Sequence, residues 1–269
     1  MNKVMTILDK IIEQKKQEVA NAQQRRPLKF LQSQIINHNR LCSLRQKMKV
    51  NRNFQFICEI KKASPSRGII KADFDPINLA VSYAEAGADA ISVLTDENFF
   101  QGRLDYLPQI RKKVALPLLR KDFIIDPYQI YESCYYQANL ILLIARILSR
   151  QQVIEFIELA DKLSLEVLLE LANENDLAKI PLDRRNLILA INNRNLETFE
   201  VDLNNSLRLK PLFPDDIPVI SASGINTAEE CRRLAYNGFA GVLIGESLMR
   251  SPSPAVYLSE LKKGLIDAC

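Results

Sequence analysis

Two rhythms run through the pattern of apolar and polar positions. Near the start, Val4, Ile7, Leu8, Ile11 and Ile12 recur at helical spacing, with Thr6 and Asp9 at the front and lysines further along. This predicts an amphipathic helix that Pro27 ends, followed by a second short helix over 28–37. Beyond residue 50, short apolar runs of strand character alternate with longer helical stretches. The strands are predicted at 54–61, 88–94, 118–121, 140–143, 166–171, 187–192, 218–221 and 241–244. The helices are predicted at 76–86, 104–113, 127–136, 151–163, 173–180, 203–213, 227–237 and 255–266.

Eight strand-then-helix units, each about 25 to 35 residues long, are the sequence sign of repeated βαβ crossovers and a parallel sheet. An open doubly wound sheet also alternates in this way, but usually with fewer units. The expected fold is therefore α/β, a (β/α)8 barrel. It is expected as one domain over 1–269, with 1–50 forming a helical extension.

Composition narrows the partners more than the fold. The formal net charge of +4 is too small to argue for nucleic acid, though it favours a small anionic ligand. The five cysteines, Cys42, Cys58, Cys134, Cys231 and Cys269, form no C-x-x-C pair and have no neighbouring histidine. A metal or disulfide framework is therefore not expected, and a reducing, cytoplasmic setting is. No apolar run has the length of a membrane span, and the first helix mixes acidic residues with its lysines. Docking onto its own domain is expected of that helix rather than lying on a membrane. The one histidine, His38, is expected to be a surface or capping residue.

In a barrel the strands' C-terminal ends build the active site, and alternate side chains point inward. Period two places Glu59 and Lys61 on the interior face of the first strand, with Phe54, Phe56, Cys58 and Ile60 toward the helices. Charge at the barrel mouth is tolerable only with pairing or substrate contact, so Glu59 and Lys61 are candidate site residues, with a structural ion pair as the alternative. The third strand ends in Lys121, the fifth in Glu170 and Leu171, and the sixth in Asn192, Asn193 and Arg194. Ser223 and Gly224 follow the seventh strand, and Gly245 and Glu246 follow the eighth. Small residues there let backbone N–H groups approach a phosphate, although glycine is common in such turns for steric reasons alone.

Read in order, these strand ends closely resemble those of the indole-3-glycerol-phosphate synthase family. The matching stretches are Glu59-Ile60-Lys61-Lys62-Ala63-Ser64-Pro65-Ser66, Ser92-Val93-Leu94-Thr95-Asp96, Leu119-Arg120-Lys121-Asp122-Phe123, Leu142-Leu143-Ile144-Ala145, Ile191-Asn192-Asn193-Arg194-Asn195-Leu196 and Leu243-Ile244-Gly245-Glu246-Ser247. The resemblance spans essentially the whole chain. It implies an enzyme of tryptophan biosynthesis that closes the ring of 1-(2-carboxyphenylamino)-1-deoxyribulose 5-phosphate with loss of carbon dioxide and water. It implies no cofactor and no metal.

By the same resemblance, Lys121 is the general acid at the ketone oxygen and Glu59 orients it. Lys61 binds the substrate carboxylate, and Glu170 is the base during loss of water. Which lysine acts as acid in each step stays open. Asn192 and Ser223 position the substrate, and Ser64, Gly224, Gly245 and Glu246 form the phosphate cradle. Arg194 is a further polar residue at the rim. Phe100 and Phe123 wall the aromatic ring, or equally serve core packing. The expected partner is a small anionic molecule, with no nucleic acid and no membrane, and the expected state is a monomer or weak homodimer.

Two positions depart from the family pattern. Ala222 stands in Ser221-Ala222-Ser223-Gly224 where Ser-Glu-Ser-Gly is usual, and Leu171-Ala172-Asn173 lacks the usual His-Asp pair. The missing carboxylate leaves a second reading open, a catalytically weakened phosphate-binding barrel that acts as a binding or assembly protein. A phosphoribosylanthranilate isomerase would need a cysteine on the interior face of strand one and an aspartate on strand five. Cys58 has the wrong strand parity, and strand five offers Glu170.

Overall fold

The computed structural model describes residues 5–35, 43–50, 53–181, 185–195 and 198–266. Three helices lead the chain: α1 (Ile7–Arg25), α2 (Leu28–Gln34) and α3 (Leu44–Val50). Helix α1 opens with a capping box in which the Thr6 side chain accepts from Asp9 N–H and the Asp9 carboxylate accepts from Thr6 N–H. The second helix is shorter than expected, closing at Gln34. His38 and residues 36–37 lie outside the described residues, as do Cys42 and Cys269.

Eight parallel strands then close on themselves: β1 (Gln55–Ile60), β2 (Ala90–Leu94), β3 (Leu118–Lys121), β4 (Leu140–Ile144), β5 (Glu166–Leu171), β6 (Leu187–Asn192), β7 (Val219–Ala222) and β8 (Gly241–Ile244). Strand β1 pairs with β2 on one side and β8 on the other, so none of these eight strands is left with an open edge. Around the barrel run α4 (Pro76–Glu85), α5 (Tyr106–Arg111), α6 (Pro127–Tyr135), α7 (Arg150–Lys162), α8 (Asn204–Leu209), α9 (Ala228–Tyr236), α10 (Glu246–Arg250) and α11 (Pro254–Ile266).

Between β5 and β6 the expected α-helix is a 3-10 helix over Glu174–Lys179. With only six residues before Ile180 and Pro181, it cannot complete two α-turns. Asn173, one of the two departures from the family pattern, is its N-cap and accepts from Asn175 N–H. The helix expected over 203–213 is likewise shorter, with Pro211 turning its end into a 3-10 segment at Lys210–Leu212.

Strand parity divides the core in two. Phe56, Cys58 and Ile60 face outward and pack with the helices, whereas Ile57 joins Leu119, Leu142, Leu168, Ile188 and Leu243 inside the barrel. The floor of that interior is closed by α3, a helix the periodicity did not single out. Leu44 and Met48 on α3 join the inner cluster. Glu166, at the N-terminal end of β5, accepts hydrogen bonds from the hydroxyl of Ser43 and the backbone N–H groups of Leu44 and Arg45, and the Arg45 guanidinium reaches the Leu187 carbonyl. A carboxylate at a helix N-terminus satisfies donors that the helix itself cannot.

Helix α1 packs at the opposite end of the barrel, where Tyr128 of α6 donates to the Ala22 and Arg26 carbonyls. Among the described residues no helix is long and apolar enough to cross a membrane.

Candidate active site

At the C-terminal mouth of the barrel, four strands deliver a line of side chains alternating in charge. Lys61 Nζ lies 2.7 Å from Glu59 Oε1. The other Glu59 oxygen lies 3.7 Å from Lys121 Nζ, which is 4.0 Å from Glu170 Oε2. Asn192 then donates to Glu170 at 3.0 Å and accepts from the Arg194 backbone at 2.9 Å. The strand periodicity places these groups because each follows an inward apolar residue by two positions: Ile57 before Glu59, Leu119 before Lys121, Leu168 before Glu170 and Ala190 before Asn192.

The pairing sets the charge states. Burial alone would raise the Glu59 carboxyl, but the ammonium groups of Lys61 and Lys121 hold it below the usual carboxylate value. Burial alone would lower Lys121, but Glu59 and Glu170 outweigh it and hold the lysine above its ordinary value. Lys121 therefore keeps its proton at neutral pH. With a fifth of its side chain still accessible, it can present that proton to a bound molecule.

These groups line a cavity of about 590 Å³, a size suited to a small-molecule ligand. The same cavity is lined by the small or polar residues Ser64, Arg194, Ser223, Gly224, Gly245 and Glu246. Ser223 and Gly224 both have left-handed backbones, at φ of 70° and 80°, so the chain turns sharply out of β7. A Cβ on Gly224 would overlap Val201. The Asn193 amide fixes this turn by donating to the Ser223 carbonyl at 2.9 Å. Gly245 also makes room for a catalytic side chain. A Cβ there would run into the Glu59 carboxylate, so the missing side chain gives Glu59 its place.

Glu246 contributes its side chain as well as its backbone. It pairs with Arg194 at 2.8 Å and with Arg67 at 3.2 Å, Arg67 lying at the tip of a small hairpin whose two-residue strands are Ala63–Ser64 and Gly68–Ile69.

Phe100 and Phe123 form one wall, with ring centroids 6.1 Å apart, and Ile7, Leu8 and Ile11 of α1 also line the cavity. This wall is held by a buried charge cluster. Lys15, only 4% exposed, reaches Asp122 at 2.9 Å, Asp96 at 3.0 Å and Glu18 at 2.6 Å. Asp96 accepts from the backbone of Phe99 and Phe100, and Asp122 from the backbone of Phe123. Asp122 also pairs with Arg120, which pairs with Glu132 of α6. Lys15 thus ties α1 to both aromatic residues and to the residue following Lys121.

Every sequence-derived site residue, Glu59, Lys61, Lys121, Glu170, Asn192, Ser223, Ser64, Phe100, Phe123, Arg194, Gly224, Gly245 and Glu246, lines this one cavity. Sequence reasoning missed Arg67, Val201 and the Lys15 cluster. Lys15 carried a signal: Ile11, Lys15 and Val19 are the buried positions of α1 at four-residue intervals, so a lysine occupies the middle of an apolar stripe. Ala222 is buried and lines the cavity without contributing a charge. Cys58 faces the helices, where burial pushes its thiol well above the ordinary value.

The model of the family described as Indole-3-glycerol phosphate synthase matches residues 8–261. An indole-3-glycerol phosphate synthase of Ruminiclostridium cellulolyticum is 44% identical over 259 residues, which is 95% of this chain and 98% of the relative. One of Rhodopirellula baltica is 44% identical over 257 residues, 96% and 99% of the two chains. Among solved structures, tryptophan synthase subunit alpha from Legionella pneumophila superposes with a TM-score of 0.61 at 15% identity, covering 86% of this chain and 99% of that one. For 3-hexulose-6-phosphate synthase from Salmonella typhimurium the TM-score is 0.64 at 13% identity, over 80% and 100%. At such identities these two speak for the barrel fold alone. The full-length match of the family model and the extent of the identity give the assignment: this chain belongs to the indole-3-glycerol phosphate synthase family.

Proposed function

We propose that the alternating line from Lys61 to Asn192 carries the family's reaction in this chain. As a member of that family the protein is a carboxy-lyase of tryptophan biosynthesis. Its substrate is 1-(2-carboxyphenylamino)-1-deoxyribulose 5-phosphate and its product indole-3-glycerol phosphate. A carbon–carbon bond forms between the ketone carbon and the ring carbon that bears the carboxylate. Carbon dioxide leaves from that ring carbon and restores the benzene ring, and loss of the former ketone oxygen as water then completes the indole.

In this reading Lys121 donates a proton to the ketone oxygen as the bond forms. The supporting observation is its place between Glu59 at 3.7 Å and Glu170 at 4.0 Å, which keeps it charged and aimed into the cavity. Lys61, bound to Glu59, offers its remaining donors to the substrate carboxylate until that group departs. Glu170, steadied by the Asn192 amide, takes a proton during dehydration. Which ammonium acts in each step is open to the same experiment. Phe100 and Phe123 flank the aminobenzoate ring, and the phosphate lies at the end bounded by Ser64, Ser223, Gly224, Gly245 and Arg194.

The partner in this reading is a small molecule with a carboxylate and a phosphate, with neither nucleic acid nor membrane involved, and the chain works as a monomer or weak homodimer. A cytoplasmic location accords with the unpaired, buried Cys58, Cys134 and Cys231. The test is to supply the carboxyphenylamino sugar phosphate and follow indole fluorescence. Lys121→Ala is expected to lower turnover by about 10²- to 10⁴-fold, the usual worth of a positioned acid. Turnover surviving nearly intact would remove Lys121 from this role.

A further inference from the structure

We infer that Asn205, in the first turn of α8, is a positioning residue for the dehydration step: its side-chain amide clamps the exits of β5 and β6 and so sets the contact between Glu170 and Asn192. The inference rests on Glu170 acting as the base in that step, as proposed above. Asn205 is half-buried, and the described residues that line the cavity do not include it. Its amide donates to the Ala172 carbonyl at 3.1 Å and to the Asn192 carbonyl at 3.2 Å.

The place where the strand ladder stops gives the clamp its purpose. The β5–β6 register runs from Val167 opposite Leu187 to Leu171 opposite Ile191. Glu170 lies inside that register, but Asn192, which holds it at 3.0 Å, is one position beyond. On its other side Asn192 is still paired, opposite Ala222 of β7, and the Asn193 N–H donates to the Ala222 carbonyl. Neighbouring strands are twisted against each other, so where their ladder ends β6 is free to follow β7 away from β5. The two donors of Asn205 tie the two exits together at that point. The clamp has a fixed base, because Asp202 N–H donates to the Asn193 carbonyl and Ser206 N–H to Asn193 Oδ1, both at 3.0 Å.

Dehydration is the step that depends on this contact. Glu170 takes a proton from the methylene carbon beside the nitrogen, and that C–H electron pair becomes the ring double bond. The C–O bond to the former ketone carbon breaks, and the oxygen leaves as water with a proton from an ammonium group. Transfer from carbon demands an accurately aimed carboxylate. Asn192 holds Glu170 Oε1, whereas Lys121 faces Oε2 and lies nearer to Glu59. Ring closure, which uses Lys121, therefore leans less on the clamp.

Single-turnover reactions with the sugar phosphate radiolabelled in its carboxylate separate the steps: evolved carbon dioxide reports decarboxylation, and indole fluorescence reports dehydration. In Asn205→Ala, indole formation is expected to slow about tenfold, less than a full 1 Å misplacement would cause, while carbon dioxide release stays within about twofold of wild type. Asn205→Asp keeps the shape of the side chain and removes both donors, so the same delay is expected there. Equal slowing of both steps in Asn205→Ala, as a general loosening of the barrel mouth gives, would overturn the inference, and so would a wild-type indole rate in Asn205→Asp. Glu170→Gln is expected to delay indole more strongly, and adding Asn205→Ala to it to delay indole little further, because both act on one group. A delay in Glu170→Gln with none in Asn205→Ala removes Asn205 alone and leaves the base assignment standing. Glu170→Gln slowing carbon dioxide and indole alike would sink the base assignment, and this inference with it.

Discussion

Gly245 on the last strand's exit gives Glu59 on the first strand its room: a methyl group at 245 would lie far inside contact distance of a Glu59 carboxylate oxygen. Closing the barrel brings β8 against β1, so a residue late in the chain sets the space for one early in it. Gly245→Ala is therefore expected to push Glu59 from between Lys61 and Lys121. A displacement near 1 Å at a reacting centre costs about 10²-fold, so kcat is expected to fall by roughly that factor. Steady-state kinetics with a melting curve checks it, and wild-type kcat in a folded variant would refute the crowding argument.

Glu59→Gln tests the electrostatics. Lys121 is raised because two carboxylates outweigh its burial, and neutralising one lets burial pull it down. The alkaline limb of residual turnover is expected to move to lower pH. Where turnover is too low to read, 13C NMR of the lysine Cε reports the same titration. A limb that stays in place or rises would show that Glu59 does not set the charge on Lys121.

Lys15→Met leaves Asp96 and Asp122 buried with their shared cation gone. Removing one partner from a buried pair costs about 3–5 kcal/mol, and a drop in Tm of about 10 °C is expected. KM is expected to rise as well, since both carboxylates hold the Phe100 and Phe123 backbones. The pH dependence has a definite sign. Burial opposes ionisation of Asp122, but Lys15 and Arg120 hold its carboxyl far below the ordinary value. A folded value below the unfolded one gives stability that is present above the ordinary aspartate range and lost as pH falls through the folded value. Wild type should lose this contribution on acidification, and Lys15→Met should lose less; equal acid sensitivity would contradict the cluster's role.

Glu166→Ala is the counterpart at the barrel floor. It strands the N–H groups of Leu44 and Arg45, at a cost of about 1–3 kcal/mol, and lies far from the catalytic mouth. Denaturant unfolding is expected to show the loss while KM remains at its wild-type value. A KM that rises with the instability would mean that the two ends of the barrel are coupled.

The strands were legible because their apolar runs are short, bounded and separated by whole helices. β3, β5, β6 and β8 lie where the apolar runs end, at Lys121, Leu171, Asn192 and Ile244. The interior charges were legible for a related reason, since a polar residue at an inward position of an otherwise apolar strand has no solvent to face. Helix α3 escaped notice because seven residues give less than two turns of periodicity and three of them are basic. The pairing of Lys15 with Asp96 and Asp122, and of Glu246 with Arg67 and Arg194, was hidden for another reason. These residues come together only through the ring closure and helix docking, and no local spacing encodes an encounter between residues so far apart. The aromatic pair was ambiguous between wall and core because Phe100 and Phe123 are both, packed on each other and bordering the cavity.

The docking of α1 also bears on how the protein is made. Its lysine is committed to carboxylates that follow β2 and β3, so during synthesis the helix emerges well before anything exists to receive it. Until β3 has left the ribosome, Ile11, Lys15 and Val19 form an amphipathic stripe without a seat, the kind of transient surface that chaperones hold. The roof of the cavity is translated ahead of its walls and has to wait for them.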